Sequence, residues 1–192
     1  MNLPHDRTPF ASARPLAESP DLAERAADLL RTSGALLNLA PPEAAAVVAQ
    51  MRLVHAGAGV TLFREGDSRW LDHLLLLLDG EVSIDTGPGA VAISVVGPGA
   101  ILGEMALLDG APRSASCTTA SPIQAAALSR QGLQLLIDRE PRAAAKLLVG
   151  LGVRTAERLR ALGDQLQIYA KVAEDQQLEI ARLRAVAARS PR

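Results

Sequence analysis

Between Leu53 and Leu128, Gly or Pro recurs at positions 57, 59, 66, 80, 87–89, 97–99, 103, 110, 112 and 122. That punctuation disfavours helices of ordinary length, because Gly and Pro are the two residues most costly inside one. Between the breaks lie short segments rich in Leu, Val, Ile, Ala and Thr: Leu53–His55, Thr61–Arg64, Leu74–Leu78, Val82–Asp85, Ala92–Val96, Ser114–Ala120 and Ile123–Leu128. They are joined by turn sequences at Gly57-Ala-Gly59, Glu65-Gly66-Asp67, Asp79-Gly80, Gly87-Pro-Gly89, Gly97-Pro-Gly99 and Ser121-Pro122. Many short strands with regular turns predict an antiparallel sandwich or barrel.

Helical signals flank this region. Residues 1–20 are rich in Pro, Ser, Ala and charge and read as a flexible arm. Asp21–Leu39 reads as a helix capped by Ser19 or Asp21, and Pro41 opens a second helix through about Met51. Ser129 can cap a helix carrying Leu133, Leu136 and Ile137, and Pro141 starts a long one. From Leu159 the apolar positions step by three and four: Leu159, Leu162, Leu166, Tyr169, Ala173, then Gln176, Ile180, Leu183 and Ala187. That is a heptad seam, in which a lone polar residue such as Gln176 commonly fixes register. Gly163 and Gln176 weaken it. The expected organisation is an arm over 1–20, a binding domain over 21–140, and a coiled-coil helix over 141–188 that forms a homodimer. The alternative is one long helix folding back on its own barrel.

Composition narrows the function. The chain is 48% hydrophobic but only 2% aromatic, so its core is aliphatic and it lacks aromatic platforms for stacking nucleic-acid bases. A net charge of -1 over 192 residues gives no general case for DNA or an acidic membrane as partner. One cysteine, Cys117, allows no internal disulfide and suits a reducing compartment; it reads as a small hydrophobe on a strand. No apolar run approaches the length of a bilayer span, and the N-terminus lacks a signal-peptide core, so the expectation is a soluble, cytoplasmic protein. His5, His55 and His73 are scattered without metal-ligand spacing, so neither a metal nor a cupin-type enzyme is expected. Trp70 reads as a loop residue covering the barrel end. The basic tail, Arg182, Arg184, Arg189 and Arg192, follows Glu174, Asp175 and Glu179 and reads as a solvated helix face.

The segment GEMALLDGAPRSASC, Gly103–Cys117, carries the chemistry. A single helical turn over Gly103–Leu108 would leave backbone N–H groups pointing at an anion. Arg113 adds a permanent charge on a planar fork that matches phosphate oxygens. Glu104 cannot serve a phosphate but can accept hydrogen bonds from a sugar hydroxyl. Small residues, Ala106, Gly110, Ala111, Ser114 and Ala115, let backbone approach a ligand. Together these describe a nucleotide pocket; the plainer alternative is a structural ion pair between Glu104 and Arg113.

GEMALLDGAPRSAS resembles the phosphate-binding cassette of cyclic nucleotide-binding domains. Thr61-Leu-Phe-Arg-Glu-Gly-Asp67, Leu76-Leu-Leu-Asp-Gly-Glu-Val82 and Gly97-Pro-Gly99 before Ile101-Leu-Gly-Glu104 are similar to that family's other signatures, in the same order. The resemblance covers about Leu36 to Leu162. It implies a small double-stranded β-helix, or jelly roll, with flanking helices. It also implies a sensor, resembling bacterial catabolite-activator-type regulators, that binds cAMP, or cGMP, without catalysis or metal. Carried over residue by residue, Arg113 pairs with the cyclic phosphate, Glu104 accepts from the ribose 2′-hydroxyl, and Gly103 lets backbone approach the ribose. The amides of Ala106 and Ala115 and the Ser114 hydroxyl complete the phosphate cradle, and Ser114 leans toward cAMP. A base contact from the long helix falls to Arg154, Thr155 or Arg158. The resemblance further implies a signal passed through the coiled coil to the other protomer or to an unidentified protein partner. With only five residues after Ala187, no helix-turn-helix is expected to follow, so DNA binding would need a partner. A ligand-free scaffold for assembly is the other alternative.

Overall fold

The computed structural model describes residues 13–32, 39–68, 72–85 and 92–189. Trp70, the Gly87-Pro-Gly89 turn, His5 and Arg192 lie outside the described residues. The chain divides into two units, Met1–Leu151 and Gly152–Arg192.

The first unit is built on two antiparallel sheets. Nine strands are described: β1 (Arg14–Pro15), β2 (Met51–Ala56), β3 (Thr61–Phe63), β4 (His73–Asp79), β5 (Val82–Asp85), β6 (Ala92–Val96), β7 (Ile101–Leu102), β8 (Ser116–Thr119) and β9 (Ile123–Ser129). One sheet runs β1-β2-β9-β4-β7 and the other β3-β8-β5-β6. The seven expected strands are present, with ends moved by a residue or two. The two additional strands, β1 and β7, span two residues each, too few to show an alternation. The helices are α1 (Pro20–Thr32), α2 (Pro41–Ala49), α3 (Glu104–Asp109), α4 (Arg130–Arg139) and α5 (Pro141–Arg189).

Strand alternation divides the core in two. Leu74, Leu76 and Leu78 of β4 pack with α1, α2, α4 and the start of α5, among Leu30, Val47, Leu136 and Leu147. Leu75 and Leu77 face the opposite way, toward the second sheet, among Phe63, Ile84, Cys117 and Ile123. Ala125, Ala126 and Ala127 of β9 pair with Leu77, Leu76 and Leu75, and their small side chains let both layers pack onto the central strands. Residues 14–18 fall inside the expected arm, yet they are anchored. Arg14 and Pro15 pair with Leu53 and Arg52, the Arg52 Nε donates to the Ala13 carbonyl at 2.9 Å, and Leu16 is fully buried. Burial of Leu16 acts together with the β1–β2 pairing to hold this stretch against the sheet.

Three glycines fix the turns nearest the central strands and the cassette. Gly80 (φ +84) closes the β4–β5 turn, Gly99 (φ +88) precedes β7, and Gly103 (φ +75) starts α3. The second unit is the remainder of α5, a continuous helix to Arg189. Its seam residues Leu159, Leu166 and Tyr169 are about 70% exposed within the chain: 71%, 68% and 71%. Among the described residues, no helix is long and apolar enough to cross a membrane, and no cluster could hold a metal ion.

Candidate functional site

The cassette segment folds as a turn of helix followed by an extended return. Gly103 adopts the left-handed conformation, φ 75 and ψ 14, which an L side chain enters only at a cost. It has no side chain to cap α3, and the first bond of the helix runs from the Leu107 N–H to the Gly103 carbonyl at 3.4 Å. Gly110, also left-handed, closes the helix with its N–H on the Ala106 carbonyl at 3.0 Å. The Arg130 Nη2 donates to the same carbonyl at 3.2 Å, a cation on the negative end of the helix.

Arg113 is 4% exposed and Glu104 8%. Burial of two charged side chains side by side is uncommon without a built environment. Around Arg113 that environment is built from backbone carbonyls and an aromatic ring. Its Nη1 donates to the Gly103 carbonyl at 2.8 Å and its Nη2 to the His73 carbonyl at 3.0 Å. Its Cζ lies 3.9 Å from the centroid of the Phe63 ring. Its backbone N–H donates to Asp67 O at 3.1 Å, and its carbonyl accepts from Gly66 N–H at 2.8 Å. Burial pushes the guanidinium pKa down, while Cys117, Asp72, Glu104 and Asp67 oppose that shift. An arginine this basic at the outset keeps its charge. The result is a fixed cation, oriented by backbone carbonyls, against the helix that starts at Gly103.

Gly103, Glu104, Ala106, Arg113, Ser114 and Ala115 all belong to this local assembly. Ala106 and Ala115 are buried; Ser114 is exposed, with its hydroxyl 3.8 Å from the Met105 sulfur. Thr155 and Arg158, with Arg154, belong to α5 in the second unit. Phe63, the His73 carbonyl and the Gly66–Asp67 backbone are neighbours of Arg113 that the sequence did not assign. The Thr61–Asp67 motif was visible, but nothing in it said that it would meet Arg113.

Residues 53–140 match the family described as cyclic nucleotide-binding domain. Over these residues, a little under half of its length, the chain carries a cyclic nucleotide-binding domain. The CRP-like cAMP-activated global transcriptional regulator of Mycobacterium tuberculosis is 29% identical over 142 residues, covering 72% of this chain and 61% of the regulator. A cyclic nucleotide-binding domain from Methylobacillus flagellatus KT has a similar structure, with a TM-score of 0.70 and 29% identity over 84% of this chain and 94% of that one. The catabolite activator protein of Thermus thermophilus follows with a TM-score of 0.62 and 28% identity, over 74% and 62%. The chain spans about six tenths of the length of the curated regulators it matches, 61%. Within the cyclic nucleotide-binding domain, Gly103–Ala115 is the stretch that joins buried charge to close-approach backbone.

Proposed function

We propose that the protein is a cyclic mononucleotide sensor with cAMP as its first ligand. The observation that carries this reading is Arg113: a buried, permanently charged fork held by the Gly103 and His73 carbonyls, beside the buried carboxylate of Glu104. A cyclic phosphate supplies the anion that such a cation matches, and a ribose hydroxyl supplies the donor that Glu104 accepts. Gly103 allows backbone to approach the sugar, while Ser114 and the amides of Ala106 and Ala115 contribute to the phosphate cradle. The Mycobacterium tuberculosis relative is described as cAMP-activated, and Ser114 leans the same way. Thr155 and Arg158 of α5 are the candidates for a base contact.

Ligand acts by population shift: occupancy of the cassette favours one placement of the helices after Ser129. The exposed seam of α5 carries the change to a second copy of the chain in a coiled-coil dimer, and onward to a protein partner. No step of this mechanism is chemical.

Calorimetric titration with cAMP and cGMP, of the wild type and of Arg113→Ala, tests the reading. Losing a charge-assisted phosphate contact lowers affinity about ten- to a hundredfold, the equivalent of about 1.5–3 kcal/mol. No binding of either nucleotide to the folded wild type overturns it.

A further inference from the structure

We propose that Phe63 is a positioning residue of the nucleotide site, and that Phe63–Asp67 is a cradle that holds Arg113 in its phosphate-binding rotamer. The inference rests on the cyclic-nucleotide reading above and assigns a role to a motif that reading leaves idle.

The cradle grips Arg113 by both main chain and side chain. Gly66 N–H and Asp67 O bond the Arg113 carbonyl and amide, at 2.8 and 3.1 Å, so the turn pairs with Arg113 as a strand would. Three residues further along the return, the Ser116 Oγ accepts from Glu65 N–H at 3.0 Å. From the same segment the Phe63 ring lies under the guanidinium, 3.9 Å from Cζ. The register of β3 against β8 shifts between Thr61 and Phe63. Such an irregularity re-aims a side chain. The ring is buried in the inner core, among Leu75, Leu77 and Cys117.

The need for a ring follows from the burial of Arg113. A guanidinium removed from water loses solvation, and an aliphatic neighbour returns none of it. An aromatic face does, through its quadrupole. The Gly103 and His73 carbonyls then set the rotation of the fork in its plane. Without the ring, the side chain populates other rotamers, and apparent affinity falls with the competent fraction. Leucine fills much of the same space but presents no π face, whereas tyrosine keeps the face.

Calorimetry with cAMP on Phe63→Leu, Phe63→Tyr and Phe63→Leu/Arg113→Ala tests the proposal, with circular dichroism confirming the fold of each. Phe63→Leu binds about three- to thirtyfold more weakly than wild type, the range expected of a cation–π contact. Phe63→Tyr stays within about threefold of wild type, and in the Arg113→Ala background the leucine changes residual affinity by less than about twofold. Wild-type affinity in Phe63→Leu, or an equal loss in both backgrounds, overturns the proposal. Should the wild type bind no cyclic nucleotide, the nucleotide reading fails and the cradle is judged by NMR. The Arg113 Nε–H resonance, identified by its absence in Arg113→Ala, is displaced by the ring in wild type and moves in Phe63→Leu. An unmoved signal overturns the cradle.

Discussion

A methyl group on Gly103 would fall on the Arg113 Nη1 and press against the His73 carbonyl, in a backbone conformation of φ +75 that disfavours any side chain. Gly103→Ala therefore acts on stability and on the site together. The backbone alone costs about 1–2 kcal/mol, lowering the thermal midpoint. The displaced guanidinium adds a loss of cAMP affinity of at least about tenfold, read by calorimetry. A variant with wild-type affinity would show that Arg113 can serve the ligand from another rotamer. At this scale the cassette was readable because its members are close in sequence: Gly103, Glu104, Arg113 and Ser114 lie within one short stretch. Phe63 lies far upstream and the His73 contribution is a carbonyl. Neither spacing nor residue type signals a contact that only the pairing of β3 with β8, and the start of β4, creates.

The elements around the site are tied by a charged staple between α2 and α5. Glu43 accepts from the Ala40 N–H at 2.7 Å and from Lys146 Nζ at 2.6 Å, with Arg142 Nε 3.8 Å away. The Lys146 bond leads in holding the Glu43 carboxyl below the usual glutamate range. With its pKa lower in the folded chain than in the unfolded one, the group stabilises the fold fully above the ordinary glutamate value. That contribution is lost as pH falls through the folded value. In a series of thermal melts Glu43→Gln should be less stable than wild type at neutral pH, with the gap closing in acid; a pH-independent gap would assign the effect to packing. Sequence anticipated both helices, and Pro41 placed the start of α2, but nothing at Glu43 marked Lys146, 103 positions away, as its partner. Strand positions were readable for the opposite reason. Gly and Pro breaks are local, and they fall where the chain turns, as Gly80 and Gly99 do.

At the scale of the molecule, the proposed coiled-coil dimer rests on the exposed seam of α5. Leu159 and Leu166 are mostly exposed within the chain, and a helix bearing such residues at heptad spacing buries them by pairing with another. Sedimentation should show a dimer for wild type and a monomer for Leu159→Asp/Leu166→Asp, with the thermal melt of the first unit unchanged; an unaltered dimer would move the interface elsewhere. The heptads were plain in the sequence because they repeat. The layering of the first unit was not, because it depends on which side of β4 each leucine faces. That strand sends Leu74, Leu76 and Leu78 to the helical core and Leu75 and Leu77 to the core between the sheets. Slipping it by one residue would exchange the two sets at once. Because the two layers share this wall, the first unit should melt as one event, and a reporter placed in either core should trace the same curve.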